Sequence, residues 1–385
     1  MVIKMEKLFA KIDELNEKYL DVLEAICNIE SPTDYKKGVD DACAYIVDIA
    51  KKRGWEIEVL KQEVSGDAVC ITMNADVDAK PFAISGHMDT VHPVGFFGSP
   101  ATRRDEEKMY GPGVTDCKGG VIAGLLAMVA LEETGFRKNP VKLILQTDEE
   151  TSSKGSNKET IKFMCEKAKD AVAFFNMEGM MAGKAVIQRK GIIRHKFKVH
   201  GIAAHSSGCA TDGASAILEA SHKIIELEKF KDNMGTTCSC NIISGGTKAN
   251  TVPEYCEFIT DTRVITNKAL EEFRKTAEEI ASKTHVEGCT CEIEEISMRP
   301  PMEITETNIK LLEKMNEIYV KYGMPSLEQG FARGGSDAAY TTEAGIPTME
   351  SLGVLGGRIH SIDEFMYLAD LKESAKRVAA IIKEL

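Results

Sequence analysis

With 385 residues, 43% of them hydrophobic and 28% charged, the chain has a globular composition and a length that points to two or three domains rather than one core. The 48 Lys and Arg against 60 Asp and Glu leave a formal net charge of -12, which argues against a nucleic-acid-binding surface, because phosphate recognition needs clustered basic side chains. No apolar run approaches the roughly 20 residues of a membrane span and the start of the chain is unlike a signal peptide, so the 11 cysteines read as reduced thiols of a cytoplasmic protein.

An amphipathic, Glu- and Lys-rich helix is predicted around Glu6 to Ile29. From Asp41 to Gly191 helix and strand patterns alternate. A helix over Asp41 to Arg53 leads to strands near Glu56 to Leu60, Ala68 to Met73 and Pro81 to Ile84. Then come a helix from Lys118 to Glu133, a strand at Val141 to Gln146, a helix at Lys158 to Lys169 and a strand at Ala171 to Met177. Such alternation predicts a sheet covered by helices on both faces. After Gly191 the texture changes to longer alternating strands, near Ile193 to Val199, Cys238 to Ile243, Tyr255 to Val264 and Cys289 to Ile296. Helices near Gly213 to Phe230 and Ala269 to Thr284 lie between them. Beyond Arg299 the layered pattern resumes, with helices at Asn308 to Tyr322, Asp337 to Ala344 and Ala369 to Ile382 and a strand at Ile346 to Ser351. The expected fold is therefore α/β: a three-layer domain with a mixed, mostly parallel sheet formed by residues 1–190 and 299–385, interrupted by a smaller α+β domain at 191–298. Cys238-x-Cys240 and Cys289-x-Cys291 both lie in strand-like text, so a shared strand face explains them better than a sulfur metal site.

Three of the predicted strands run into residues suited to metal binding. Phe82 to Ile84 leads to His87 and Asp89, Leu143 to Leu145 leads to Asp148, Glu149 and Glu150, and Val172 to Phe175 leads to Glu178. The carboxyl ends of parallel strands share one sheet edge, so these groups can converge despite their separation. Gly111 to Gly120 is a glycine-rich turn carrying Asp116; a phosphate loop is the competing explanation, but the GxxxxGK[ST] spacing is absent. Taken singly, each motif has a plainer meaning: a polar strand end, a solvated acidic loop, a structural His360. Together they supply two histidines and three carboxylates, enough to give each of two zinc ions one imidazole and one carboxylate, with one carboxylate shared. Adjacent Glu149 and Glu150 allow one to ligate while the other handles protons, as metal-assisted hydrolysis requires.

The strings SGHMDTV, YGPGVTDCKGG, TDEE, NMEG, GIAAHSS, GGTKANTVPE with ITDTR, and GGSDAAYTTEAGIPTMESLG with IHS occur in this order along nearly the whole chain. In them the chain resembles the di-zinc peptidase and deacylase family of bacterial glutamate carboxypeptidase, succinyl-diaminopimelate desuccinylase and the aminoacylases. The resemblance implies one zinc on His87, Asp116 and Glu178 and a second on Asp116, Glu150 and His360, with Co2+ or Mn2+ as substitutes. It also implies Glu149 as general base and Asp89 as the carboxylate behind His87. The inserted domain becomes a lid and homodimer interface, with His205 reaching a neighbouring subunit's site and Asn250, Arg263 and Arg299 holding substrate.

By the same resemblance, a glutamate at position 178 goes with carboxypeptidases and deacylases. The expected reaction is then hydrolysis of a peptide or N-acyl amino acid next to a free carboxylate, without nucleic acid or membrane partners. An aminopeptidase or dipeptidase of the same family, or a binding protein that has kept the fold, are the alternatives. Two departures stand out: His205-Ser206-Ser207 where the family often has His-Ala-Gly, and Cys117 after the bridging aspartate. His92, near the first motif, reads as a loop histidine.

Overall fold

In the computed structural model, which describes residues 4–385, two compact units are formed. One contains the chain up to Ile187 together with Ile304–Phe331 and Tyr340–Leu385; the other contains Gln188–Glu303 and Ala332–Ala339.

The first unit is built on a six-stranded sheet of Glu56–Leu60 (β1), Ala68–Met73 (β2), Phe82–His87 (β3), Val141–Gln146 (β4), Phe174–Asn176 (β5) and Thr348–Met349 (β6). The strand order is β1-β2-β4-β3-β5-β6, and only β2 runs against the others, so the sheet is mixed and mostly parallel. Its helices are Met5–Cys27 (α1), Lys36–Lys52 (α2), Lys118–Glu133 (α3), Glu159–Lys167 (α4), Glu306–Lys321 (α5) and Leu368–Glu384 (α6).

Apart from the edge strand β1, whose Glu56 and Leu60 reach solvent at its ends, the strands are largely buried on both faces and rich in apolar residues, and their alternation sorts residues into two cores. Val69, Ile71, Phe82, Ile84, Leu143 and Leu145 join the main core with α1, α2, α3, α5 and α6. Cys70, Ala83, Ile144 and Phe174 point the other way, onto Ile161, Met164 and Ala168 in and after α4. Helix α1 buries Leu8, Ile12, Leu15, Tyr19, Leu23 and Ile26, a stripe at every third or fourth position that packs on α3 and α6. Helix α3 is buried from Lys118 to Leu131 and lies directly on the sheet. A Cβ built on its Gly120 would stand 1.8 Å from the carbonyl oxygen of Met177, so no larger residue fits there.

A further small sheet joins Arg103–Arg104, Lys108–Tyr110, Phe365–Tyr367 and Gly356–Gly357. The sequence did not foretell it, because strands of two or three residues carry no readable periodicity.

The second unit is a four-stranded antiparallel sheet in the order Thr237–Gly245, Tyr255–Val264, Gly191–His200, Thr290–Arg299. Helices Ala216–Leu227 and Asn267–Ser282 cover it. They begin on Ser215 and Thr266, whose hydroxyls accept the N–H groups of Leu218 and Ala269. Its core centres on Phe197 stacked on Phe258 at 4.6 Å, with Phe273, Leu270 and Leu227. Cys238, Cys240 and Cys291 pack in or against this core, and none of the described cysteines is disulfide-bonded.

Candidate metal centre

Strands β3, β4 and β5 run parallel, with His87 opposite Gln146 and Ser85 opposite Asn176. Their carboxyl ends therefore lie level, and the chain leaving each one carries a polar group to the same edge. His87 ends β3 and Asp89 follows it. Beyond β4, Asp148 leads into a single 3-10 turn, Glu149–Thr151, and two residues past β5 comes Glu178. Asp148 is buried and steadies this turn by accepting the Ser156 N–H at 2.9 Å and the Thr160 hydroxyl at 2.7 Å. Asp116 arrives from the glycine-rich loop before α3, and His360 from a turn ahead of Phe365–Tyr367.

Asp116 lies between the two histidines. One of its oxygens is 3.0 Å from Nε2 of His87 and the other 3.2 Å from Nε2 of His360. Glu178 stands 3.6 Å from His87, and Glu150 3.3 Å from His360. The five groups thus form two triads, His87–Asp116–Glu178 and His360–Asp116–Glu150, sharing one carboxylate.

Asp89 organises the first half from behind. Nδ1 of His87 lies 3.0 Å from the Asp89 carbonyl oxygen and 3.5 Å from its carboxylate. Both are acceptors, so Nδ1 carries a proton, and Nε2 is the ring nitrogen turned toward Asp116 and Glu178, free to ligate a metal once its own proton leaves. The Asp89 carboxylate also accepts the N–H groups of Glu149 at 3.2 Å and Glu150 at 3.1 Å, and the Thr33 hydroxyl at 2.7 Å. One buried side chain therefore locks His87 and the Glu149-Glu150 pair together.

The electrostatics are those of a crowded acidic pocket. Burial drives Glu150 up to about 7 and, with the Asp116 charge, lifts Glu178 well above the carboxylate range. Asp116 responds in the opposite sense: burial works against its charge, but hydrogen bonds from His360 and His87 hold it far below the ordinary value. His360 is raised to about 10 by its hydrogen bonds to Asp116 and Glu150. Three carboxylates matched by two imidazoles leave a negative surplus that divalent cations would neutralise. Ligand atoms of His87, Asp116 and Glu150, and likewise of His87, Cys117 and Glu178, lie within 4.8 Å of one another. The nitrogen and oxygen donors of the two triads suit zinc and its neighbours in the first transition row.

Cys117 is fully buried, its Sγ accepting the His87 N–H at 3.1 Å, and burial pushes its thiol up to about 12. His92 stacks on Phe96 at 4.5 Å and meets Phe97 edge-on; burial and the neighbouring His360 keep its pKa low. The other four expected residues belong to the second unit. His205 and Asn250 are exposed, with His205 Nδ1 2.8 Å from the Ser207 hydroxyl and the Asn250 carbonyl accepting the Ser206 N–H. Arg263 pairs with Asp261 at 2.5 Å, whereas the buried Arg299 faces Asp337 at 3.6 Å. Glu364 was not anticipated, although its carboxylate is buried against the Asp116 loop.

The model of peptidase family M20/M25/M40 matches residues 83–384, which include every group of the two triads. The chain belongs to this family. As an M20 protein it is a metal-dependent hydrolase of the peptidase and amidohydrolase kind. It is 27% identical to carboxypeptidase G2 of Pseudomonas sp. (strain RS-16) over 98% of this chain and 92% of that one. Aminopeptidase PepT from Bacillus cereus has the same fold, with a TM-score of 0.77, 21% identity and coverage of 96% and 98% of the two chains. So has the YXEP protein of Bacillus subtilis, described as a dinuclear metal-binding M20 peptidase, with a TM-score of 0.70, 16% identity and coverage of 96% and 98%. This M20 chain therefore carries a candidate dinuclear site on a fold whose members include dinuclear peptidases. Among its described residues, no helix is long and apolar enough to cross a membrane.

Proposed function

We propose that this protein hydrolyses an amide, in a peptide or an N-acyl amino acid, next to a free carboxylate, in the manner of a glutamate carboxypeptidase. The observation that carries the reading is the position of Asp116, with one oxygen toward each histidine and a glutamate beside each. His87, Asp116 and Glu178 would hold one zinc, and Asp116, Glu150 and His360 the other. When bound, such a pair supplies Lewis acidity and a water whose pKa falls toward about 7.

The chain's own groups do the rest. Glu149, fixed by its backbone bond to Asp89, takes the proton of the attacking water and delivers it to the leaving nitrogen. His205 of a second subunit donates to the developing oxyanion. Asn250 binds substrate, and Arg263 and Arg299 grip its carboxylate through their planar forks, exchanging the acidic partners they now have. In this reading residues 1–190 and 299–385 form the catalytic domain, and 191–298 a lid through which the protein dimerises. The outer half of edge strand Thr237–Gly245, with exposed Ile242 and Ile243, and the exposed Ile217, Leu218 and Ile225 on the adjoining helix, support a second copy as its cover.

The test is a panel of dipeptides and N-acyl amino acids offered to the zinc-loaded protein, each with a free or an amidated C-terminus. Turnover is expected of the free acids and not of the amides. Cleavage restricted to peptides with a free amino group would replace this reading with an aminopeptidase or dipeptidase, and no cleavage at all with a binding protein.

A further inference from the structure

Glu364 takes no part in the chemistry just described, yet it is only 3% exposed and ringed by backbone donors from the loop that carries Asp116. One carboxylate oxygen accepts the N–H groups of Thr115 at 2.9 Å and Asp116 at 3.0 Å, and the other that of Gly113 at 3.2 Å. The Glu364 carbonyl accepts the Gly111 N–H at 3.2 Å. Next to it, the Thr115 hydroxyl donates to the Phe365 carbonyl at 2.6 Å, and Phe365 pairs with Tyr110 across the small sheet. Five hydrogen bonds thus bind the chain around Glu364 to the chain entering Asp116.

The other end of this connection is His360, four residues earlier. Short turn bonds link the two, from the Ser361 N–H to the Arg358 carbonyl at 3.2 Å and from the Glu364 N–H to the Ser361 carbonyl at 3.1 Å. The His360 side chain is 52% exposed, and its ion pairs are with Asp116 and Glu150, two of the groups it must meet for metal binding. Packing therefore does little to orient it, and the anchor at Glu364 does more. Asp89 provides a precedent within the same centre: a buried carboxylate that accepts backbone N–H groups and so ties His87 to Glu149 and Glu150. Glu364 stands in the corresponding relation to Asp116 and His360.

We propose that Glu364 is a positioning residue of the metal centre: by gathering the N–H groups of the Asp116 loop it sets the distance between the Asp116 carboxylate and the His360 imidazole. It thereby sets the affinity of the position these two share with Glu150. The inference rests on the dinuclear reading of the site.

Glu364→Gln keeps the size but turns an N–H group toward backbone N–H groups, so it should disrupt the bracket without opening a cavity. Zinc affinity, measured by competition with a chelator for wild type, E364Q, H360A and the double variant, reads the effect directly. E364Q is expected to weaken one of the two zinc ions by about 10- to 100-fold, as loss of a group that orients ligands typically does, and to add little to the loss already caused by H360A. A merely structural carboxylate would instead lower the melting temperature of the metal-free protein and leave both affinities unchanged. That result, or a loss fully additive to that of H360A, overturns the proposal. Should E364Q fail to fold, Glu364→Asp, which shortens the reach to the same donors, is judged by the same readings. If wild type binds two zinc ions and E364Q binds them equally well, only this inference falls; if wild type binds none, the dinuclear reading falls with it.

Discussion

Asp116 is held charged by two imidazoles, whereas burial and the Asp116 charge raise Glu178 beside it, and burial raises Glu150 to about 7. In the metal-free protein Glu150, at about 7, and His360, at about 10, both titrate above their ordinary values. A group whose pKa is raised on folding adds stability that is complete below its unfolded pKa and disappears as pH rises through the folded one. Glu150 therefore weakens the metal-free fold between roughly pH 4.5 and 7, and His360 continues the trend to about pH 10. Metal binding displaces these protons and so strengthens as pH rises. The gap in melting temperature between zinc-loaded and metal-free protein should widen from pH 5 to pH 7 at fixed free zinc, and a gap independent of pH would contradict the assignment of Glu150 as a ligand. His87, Asp116, Glu150 and Glu178 were legible in the sequence because each sits just beyond an apolar strand or in a glycine-rich turn. Glu364 was not, because a single acid four residues after His360 carries no pattern of its own, and its partners are backbone N–H groups that no sequence displays.

At the scale of elements, the longer helices and strands were readable to within a few residues, as α3 and the strands Ala68–Met73 and Val141–Gln146 demonstrate. The pairing of Phe365–Tyr367 with Lys108–Tyr110 was not, since it joins segments about 250 positions apart through three residues each. The second unit adds a different case. Lys223 and Glu219, both fully buried, pair at 2.9 Å on helix Ala216–Leu227. The ammonium donates to the carbonyls of Ile280, Ala281 and Lys283 and so closes the end of helix Asn267–Ser282. Glu219 accepts the N–H groups of His285 and Val286 just beyond it. Replacing Lys223 by Ala would strand a buried carboxylate and three carbonyls, and should destabilise the unit by about 3–5 kcal/mol. Urea unfolding followed by circular dichroism measures this; a change below about 1 kcal/mol, the range of exposed ion pairs, would refute it.

For the whole molecule, the two units pose separate questions. The triads lie wholly in the first, whereas His205, Asn250, Arg263 and Arg299 lie in the second. If His205 serves the site of a neighbouring subunit, the two kinds of defect can be separated by subunit. Glu149→Ala alone should lower the rate on the order of 10² to 10⁴, the usual contribution of a general base. His205→Ala should also be impaired. Mixed dimers of the two variants would contain one complete site out of two, and their activity should exceed that of either parent. Verified heterodimers no more active than the parents would count against a shared site. The expectation of a shared site comes from the resemblance carried by the motifs and not from composition or periodicity, because an edge strand such as Thr237–Gly245 looks in sequence like any alternating strand.

The contact between Gly120 and the Met177 carbonyl has a consequence for how this architecture tolerates change. Asp116 lies four residues before that glycine, and Glu178 directly follows Met177, so two metal-type groups are gauged against each other by main chain resting on main chain. An aliphatic side chain of α3 meets other side chains that can repack around a replacement, whereas one methyl group at position 120 would act as a wedge driven beneath Glu178.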